Sequence, residues 1–239
     1  MFYFKFLNIM KKPILGMLMF LFSFQSFSQQ VYWQCFNIVV DSPTEFATLL
    51  DAFMKTESGK SITPAALSEW RNKNSTVKAT HQVCFFSDDV VELEGVRAKF
   101  NNVQAGYFRG RVENNAKVEA SILGQSLIAD PTKFGLPYGV VYAVSVQDPV
   151  ASGEAFSKMV NSVDYNVAIE LHEALAGAEP GITHYVVVRD KSFSSWITQR
   201  NVVIQSKAFQ DFLEATRDIT ATELTEAYTN QLLIQYNVQ

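Results

Sequence analysis

Histidine and cysteine are scarce in this chain, with three of the first and two of the second among 239 residues. Their spacing excludes more than their number does. Cys35 and Cys84 make no Cys-x-x-Cys and no zinc-type pair, so no metal set is expected. His172 stands beside Glu173, but the zinc metalloprotease helix needs a second histidine where this chain has Ala176. A Gly-x-Ser-x-Gly turn is missing, which removes the serine-hydrolase elbow. Gly106, Gly110 and Gly124 are too scattered to cradle a phosphate. Lysine and arginine form no cluster, and 20 basic side chains face 24 acidic ones. A phosphate backbone therefore finds no electrostatic footing, and nucleic acid is excluded as a partner.

Long apolar runs are absent too, except at the N-terminus. Lys5, Lys11 and Lys12 make a basic start, residues 14–24 are apolar, and Ser26-Phe27-Ser28 supplies small residues at a cleavage point. This pattern predicts a signal peptide over residues 1–28, cut before Gln29. The run is too short for roughly 30 Å of hydrocarbon, so no membrane association is expected after cleavage. The destination is periplasmic or extracellular. The three lysines leave with the leader, so 17 basic residues then oppose 24 acidic ones. Export permits a Cys35–Cys84 disulfide; two buried thiols fit the sequence equally well.

What is present is a repetition. Val31-Tyr32-Trp33 before Asp41-Ser42-Pro43 is echoed by Val141-Tyr142-Ala143 before Asp148-Pro149. Thr80-His81-Gln82-Val83 is echoed by Thr183-His184-Tyr185-Val186, again roughly 105 residues on. Such self-similarity points to one module duplicated and fused. In the first copy, residues 31–40 read as a buried strand. Ser42, Pro43 and Glu45 make a helix start with a capping box, and the helix ends at Gly59. Residues 65–71 and 77–86 read as strands, residues 88–100 as helical, and 118–128 as a strand broken by Gly124. In the second copy, strands are expected over 139–146, 167–175, 182–188 and 231–238. A helix opens at Asp148-Pro149, and another helical region covers 192–217 in one or two pieces. The resulting units are a first repeat over 29–130, a linker over 131–138 and a second repeat over 139–239.

Each half therefore reads β-α-β-β-α-β, the ferredoxin-like order. The capped helix, hairpin and Thr-His strand resemble the dimeric α/β-barrel superfamily, including the antibiotic-biosynthesis-monooxygenase-like domains. The resemblance implies an α+β fold in which antiparallel sheets from the two repeats pack as an intramolecular barrel with helices outside. Two unrelated α+β domains, or one larger sandwich, are the rival architecture. Some barrel relatives bind haem through a histidine. No feature flanking the three histidines supports haem here, and no cofactor is expected.

Candidate chemistry centres on the duplicated histidines. A period of two places His81 on a face with Ala79, Val83 and Phe85, and His184 with Ile182, Val186 and Val188. Glu69 and Glu173 sit across the preceding turns, where hairpin closure brings Glu69 beside His81 and Glu173 beside His184 if the register allows. A carboxylate beside an imidazole fixes its tautomer, as a general base requires. The plainer reading is a satisfied polar contact copied with the module. Phe46, Phe53, Phe156, Phe209 and Phe212 fall at helical spacing and belong to the core. Trp33, Trp70, Tyr142, Tyr185, Tyr228 and Tyr236 lie on strands, where a barrel interior is either packed or holds a small apolar ligand. A fused enzyme would be expected to lose one of its two copies of a site. The histidines are retained in both halves, so the favoured function is a non-enzymatic binding or structural role. The alternative is a cofactor-independent small-molecule monooxygenase or isomerase using these Glu-His pairs.

Overall fold

Nine residues from Tyr32 to Val40, mostly aromatic or β-branched, form the first strand, β1; such side chains suit a pleated surface with both faces covered. The computed structural model describes residues 30–162, 166–217 and 222–238. The expected signal peptide lies outside the described residues. In chain order, the first half has β1, α1 (Pro43–Met54), α2 (Glu57–Lys60), β2 (Ala65–Trp70), β3 (His81–Ser87), α3 (Val90–Lys99), α4 (Val103–Val112) and β4 (Ala116–Ile128). After a 3-10 turn at Pro131–Lys133 come β5 (Tyr138–Val146), α5 (Pro149–Asn161), β6 (Ala168–Ala176), β7 (His184–Asp190), α6 (Phe193–Gln205), α7 (Lys207–Arg217) and β8 (Thr222–Tyr236).

The strands close in the order β1-β3-β2-β8-β5-β7-β6-β4, with β4 returning to β1 and every pairing antiparallel. Each half contributes a ferredoxin-like sheet, and the two share edges through β2–β8 and β4–β6. The expected fold is the one found. Closure leaves no strand edge open among the eight, which removes the usual route to edge-to-edge association.

Register exposes the duplication more exactly than the sequence echoes do. Ile38 faces His81 in the first half, and Val144 faces His184 in the second. Both first strands then bulge against their last strand at the same place, between Asn37 and Ile38 and between Ala143 and Val144. Carried along the strands, this alignment equates Tyr32 with Tyr138, because they face Ser87 and Asp190 respectively. The Val31-Tyr32 and Val141-Tyr142 echo is therefore out of step and coincidental. The echo at Thr80-His81 and Thr183-His184 is in step.

Outside the barrel, α1 lays Phe46, Leu50, Phe53 and Met54 on Ile38, Val40, Leu67, Val83 and Phe85. In the second half, Phe156 and Met159 of α5 cover Ile169 and Leu171, with Phe209 and Phe212 of α7 beside them. Burying each such side chain contributes about 1.5–3 kcal/mol. Ile234 and Tyr236 of β8 pack into the first-half cluster, and Leu127 and Ile128 of β4 into the second, so each half completes the other's core. Local details depart from the sequence reading. Ser42 caps α1 by position only; its backbone N–H donates to Asn115 Oδ1 at 2.8 Å and its hydroxyl makes no cap bond, so the expected box with Glu45 does not form. The helix ends at Met54, and Gly59 belongs to the separate turn of α2. Strand β8 begins at Thr222 and not at Gln231, because its polar first half pairs with β5 near the rim.

Gly124 does not break β4. It lies directly opposite Trp33, and a Cβ there would sit 2.1 Å from the indole and 2.4 Å from the Glu173 carbonyl oxygen. Gly139, its partner's counterpart in the second half, faces Asn230, whose amide oxygen lies 2.1 Å from where a Cβ would be. In one half an indole crosses a glycine; in the other a small amide does. Gly124→Ala is expected to cost about 1–3 kcal/mol by overpacking, read as a lower urea midpoint at unchanged slope.

Candidate functional site

The four residues singled out from sequence lie on the outward, helix-facing side of the barrel wall. Glu69 faces His81 across β2–β3, and Glu173 faces His184 across β6–β7, so the register does bring each pair to one face. The hydrogen bonds go elsewhere. Glu69 accepts from Arg71 at 3.1 Å, and Glu173 accepts from Gln125 Nε2 at 2.6 Å. Each imidazole Nδ1 lies 2.9 Å from the hydroxyl of the preceding threonine. The Thr80 hydroxyl also accepts the Val40 N–H at 2.9 Å, and that of Thr183 accepts the Val146 N–H at 2.8 Å. Each Thr-His pair thus pins the end of a first strand just before its helix. Burial lowers the pKa of both histidines, against a smaller opposing pull from Glu69 and Glu173.

The consequence for stability has a definite sign. Above the unfolded value of about 6.5, folded and unfolded chains are both neutral at these positions and stability is at its full value. Below it the unfolded chain takes up protons that the fold does not, so stability falls as pH drops from about 6.5. The double variant His81→Gln/His184→Gln is expected to flatten that dependence in urea unfolding between pH 7 and pH 5.

The interior is built differently. Alternation sends Trp33 and Cys35 of β1, Gln82, Cys84 and Phe86 of β3, Tyr185, Val187 and Arg189 of β7, and Tyr228 and Asn230 of β8 inward. With Ile122, Val141 and His172 they line a cavity of about 70 Å3. Cys35 and Cys84, directly paired across β1–β3, are joined as a disulfide on its wall. Trp33 stands edge-on to His172 at 6.0 Å and to Tyr185 at 6.2 Å, and Tyr228 stacks on Trp70 at 4.0 Å. Tyr142 and Tyr236 point outward instead, the first towards Arg200.

Along the inward face runs a buried polar chain. Glu170 is fully buried; its Oε1 lies 3.1 Å from Arg189 Nε, its Oε2 3.0 Å from His172 Nε2. His172 Nδ1 lies 3.0 Å from the Ser126 hydroxyl. A carboxylate only accepts, so Nε2 carries a proton and Ser126 answers whatever Nδ1 requires. Burial alone pushes the Glu170 carboxyl up, but the Arg189 guanidinium and the His172 hydrogen bond outweigh it and hold the pKa below the ordinary value. Burial, with Glu179 and Glu226 adding, pushes Tyr185 up to about 12 and Tyr228 well above the ordinary range. Both hydroxyls remain protonated donors. The Nε1 atoms of Trp33 and Trp70 are buried with no partner among the described residues.

Apart from Ser126 and Gln82, these polar interior residues belong to the second half. By register, Glu170, His172, Arg189, Glu226 and Asn230 occupy the places that Ala66, Ser68, Phe86, Ala120 and Gly124 hold in the first repeat. The asymmetry expected of a fused enzyme is therefore present, on the face where the duplicated histidines are not. Sequence reasoning passed over His172 because it tested that residue only as a zinc ligand. A signal was available: Glu170 and His172, two apart in an otherwise apolar strand, share the inward face.

Haem finds no ligand in this interior: His172, the histidine on the cavity, has both ring nitrogens engaged. Among the described residues no group of three or more metal-ligating side chains converges, and no helix is long and apolar enough to cross a membrane.

No family model matches the sequence, and no curated protein does. Solved structures share the fold. One is a provisionally named monooxygenase from Fusobacterium nucleatum subsp. nucleatum, at TM-score 0.56 and 15% identity, covering 87% of this chain and 94% of that one. A second provisionally named monooxygenase, from Lactobacillus acidophilus, gives 0.55 and 9% identity over 85% and 92%. A chlorite dismutase variant from Candidatus Nitrospira defluvii gives 0.51 and 10% identity over 85% and 92%. The chain has the dimeric α/β-barrel fold, closed within one polypeptide. The expectation of a non-enzymatic role is corrected by these neighbours, which carry enzyme names and match over nearly their whole length. The reason behind that expectation, a symmetric pair of halves, fails at the barrel lining.

Proposed function

We propose that the protein is an exported oxygenase that needs no cofactor and works in the barrel cavity on a small, electron-rich organic molecule. The observation that carries this reading is the one-sided lining. Polar groups that the first half folds without are gathered in the second half around a cavity with an aromatic wall. Trp33, Phe86 and Tyr228 would hold an apolar ring. The protonated hydroxyls of Tyr185 and Tyr228 would donate to negative charge developing on a substrate oxygen, in a site that excludes water. In the simplest balanced reaction, an activated CH2 group and O2 give a carbonyl and water. Both C–H bonds break, one oxygen atom joins carbon, and the other leaves as water with the two hydrogens. We assign the Thr-His pairs to holding the strand ends. The disulfide supports an oxidising compartment, and N-terminal sequencing of exported protein is expected to start at Gln29.

The test is oxygen consumption by the purified chain in chelating buffer, against a panel of single-ring phenols with an activated methylene, with and without a carboxylate. One O2 should disappear per carbonyl formed, and Tyr185→Phe should lower kcat about 100- to 1,000-fold through the lost donor. Oxygen uptake absent across the panel, or unchanged in Tyr185→Phe and Trp33→Ala together, would sink the proposal.

A further inference from the structure

We infer that the molecule entering the barrel carries a carboxylate or an equally acidic oxygen group, which docks on Arg189 while its apolar body lies against Trp33, Phe86 and Tyr228. The inference rests on the same cavity as the oxygenase reading and adds the chemical class of what enters it.

Arg189 is the one arginine or lysine among the residues that line the cavity. Its Nε is spent on Glu170 at 3.1 Å, while its terminal amino groups have no protein partner among the described residues. Both Glu170 oxygens are engaged, Oε1 by Arg189 Nε and Oε2 by His172 at 3.0 Å and by the same Nε at 3.4 Å. A guanidinium presents five donors in a fixed fork, so an unclaimed edge is shaped for two oxygens of one planar group. The surrounding groups favour acceptors too. Tyr185 and Tyr228 keep their protons, and the buried Trp33 N–H has no partner among the described residues.

Size and symmetry agree with this. A cavity of about 70 Å3 is roughly half the 150 Å3 that encloses a benzene ring. A closed volume of that size suits a head group, and the Arg189 side chain that would receive it is 19% exposed. The first half places Phe86 where Arg189 stands, so the barrel closes without a cation at this position.

Benzoate, benzamide and benzyl alcohol, titrated calorimetrically into the full mature protein, test the idea. Benzoate should bind at least tenfold tighter than either neutral molecule. The double variant Glu170→Gln/Arg189→Gln, which removes the cation without stranding a buried carboxylate, should lose that preference. Should the double variant fail to fold, the wild type still decides: its Arg189 side-chain NMR resonances should shift with benzoate and not with benzamide. Equal affinities, a preference that survives in the folded double variant, or resonances that do not move would each overturn the inference. Benzoate binding without oxygen uptake would defeat the oxygenase reading alone. Oxygen uptake on a neutral phenol that benzoate does not inhibit would defeat this inference alone.

Discussion

Cys35→Val/Cys84→Val should unfold about 4 kcal/mol more easily than the oxidised wild type. The bond closes a loop with a sequence separation of 49, and the chain-entropy relation for a loop of that size gives about 4 kcal/mol. Valine is the informative replacement because the second half has already made it. Val141 faces Val187 at the register position where Cys35 faces Cys84. The variant therefore keeps an apolar pair on the cavity wall and loses only the cross-link. Urea unfolding of variant and of oxidised wild type should show the midpoint falling. The urea slope should rise, because the unfolded variant, freed of the cross-link, is more expanded. A loss under about 1 kcal/mol would mean that the closed barrel already restrains β1 and β3 as firmly as the bond does. The same variant should retain oxygen consumption, since sulfur has no part in the proposed chemistry.

How much of this was legible in the sequence depends on which face of the wall is considered. The outward face reads well because its pattern is redundant. Helix-spaced Phe46, Leu50 and Phe53 meet strand residues alternating at a period of two, and the second repeat says the same again. The Thr-His step survived duplication because pinning the strand end before the helix is a requirement of the module. The inward face is legible only after closure. Nothing local says that Arg189 of β7 reaches Glu170 of β6, or that Ser126 of β4 meets His172; these are contacts between strands whose pairing is set by the whole barrel. Shared residues also point away from the barrel lining, since its polar groups sit where the copies differ. The polar first half of β8 was missed for a related reason. Thr222 to Thr229 carries too few apolar residues to signal a strand, and it is held there by backbone pairing with β5.

That contrast between the halves gives the second large effect its form. Glu170→Ala should cost about 3–5 kcal/mol, because it strands the Arg189 guanidinium and His172 in a buried setting without their shared acceptor. The triple variant Glu170→Ala/His172→Ser/Arg189→Phe, which copies Ala66, Ser68 and Phe86 of the first half, should behave otherwise. Replacing a whole buried ionic group by residues that pack is often neutral or stabilising, and the first repeat shows that such residues line this barrel. The triple variant should therefore regain most of the stability lost by Glu170→Ala, read as the urea midpoint, and yet consume no oxygen and lose its preference for benzoate. Such an outcome separates the two roles open to the polar chain, since a group retained for the fold could not be exchanged for its counterpart without loss. A triple variant as unstable as Glu170→Ala would assign Glu170, His172 and Arg189 to the architecture. The one-sided lining would then cease to mark a site.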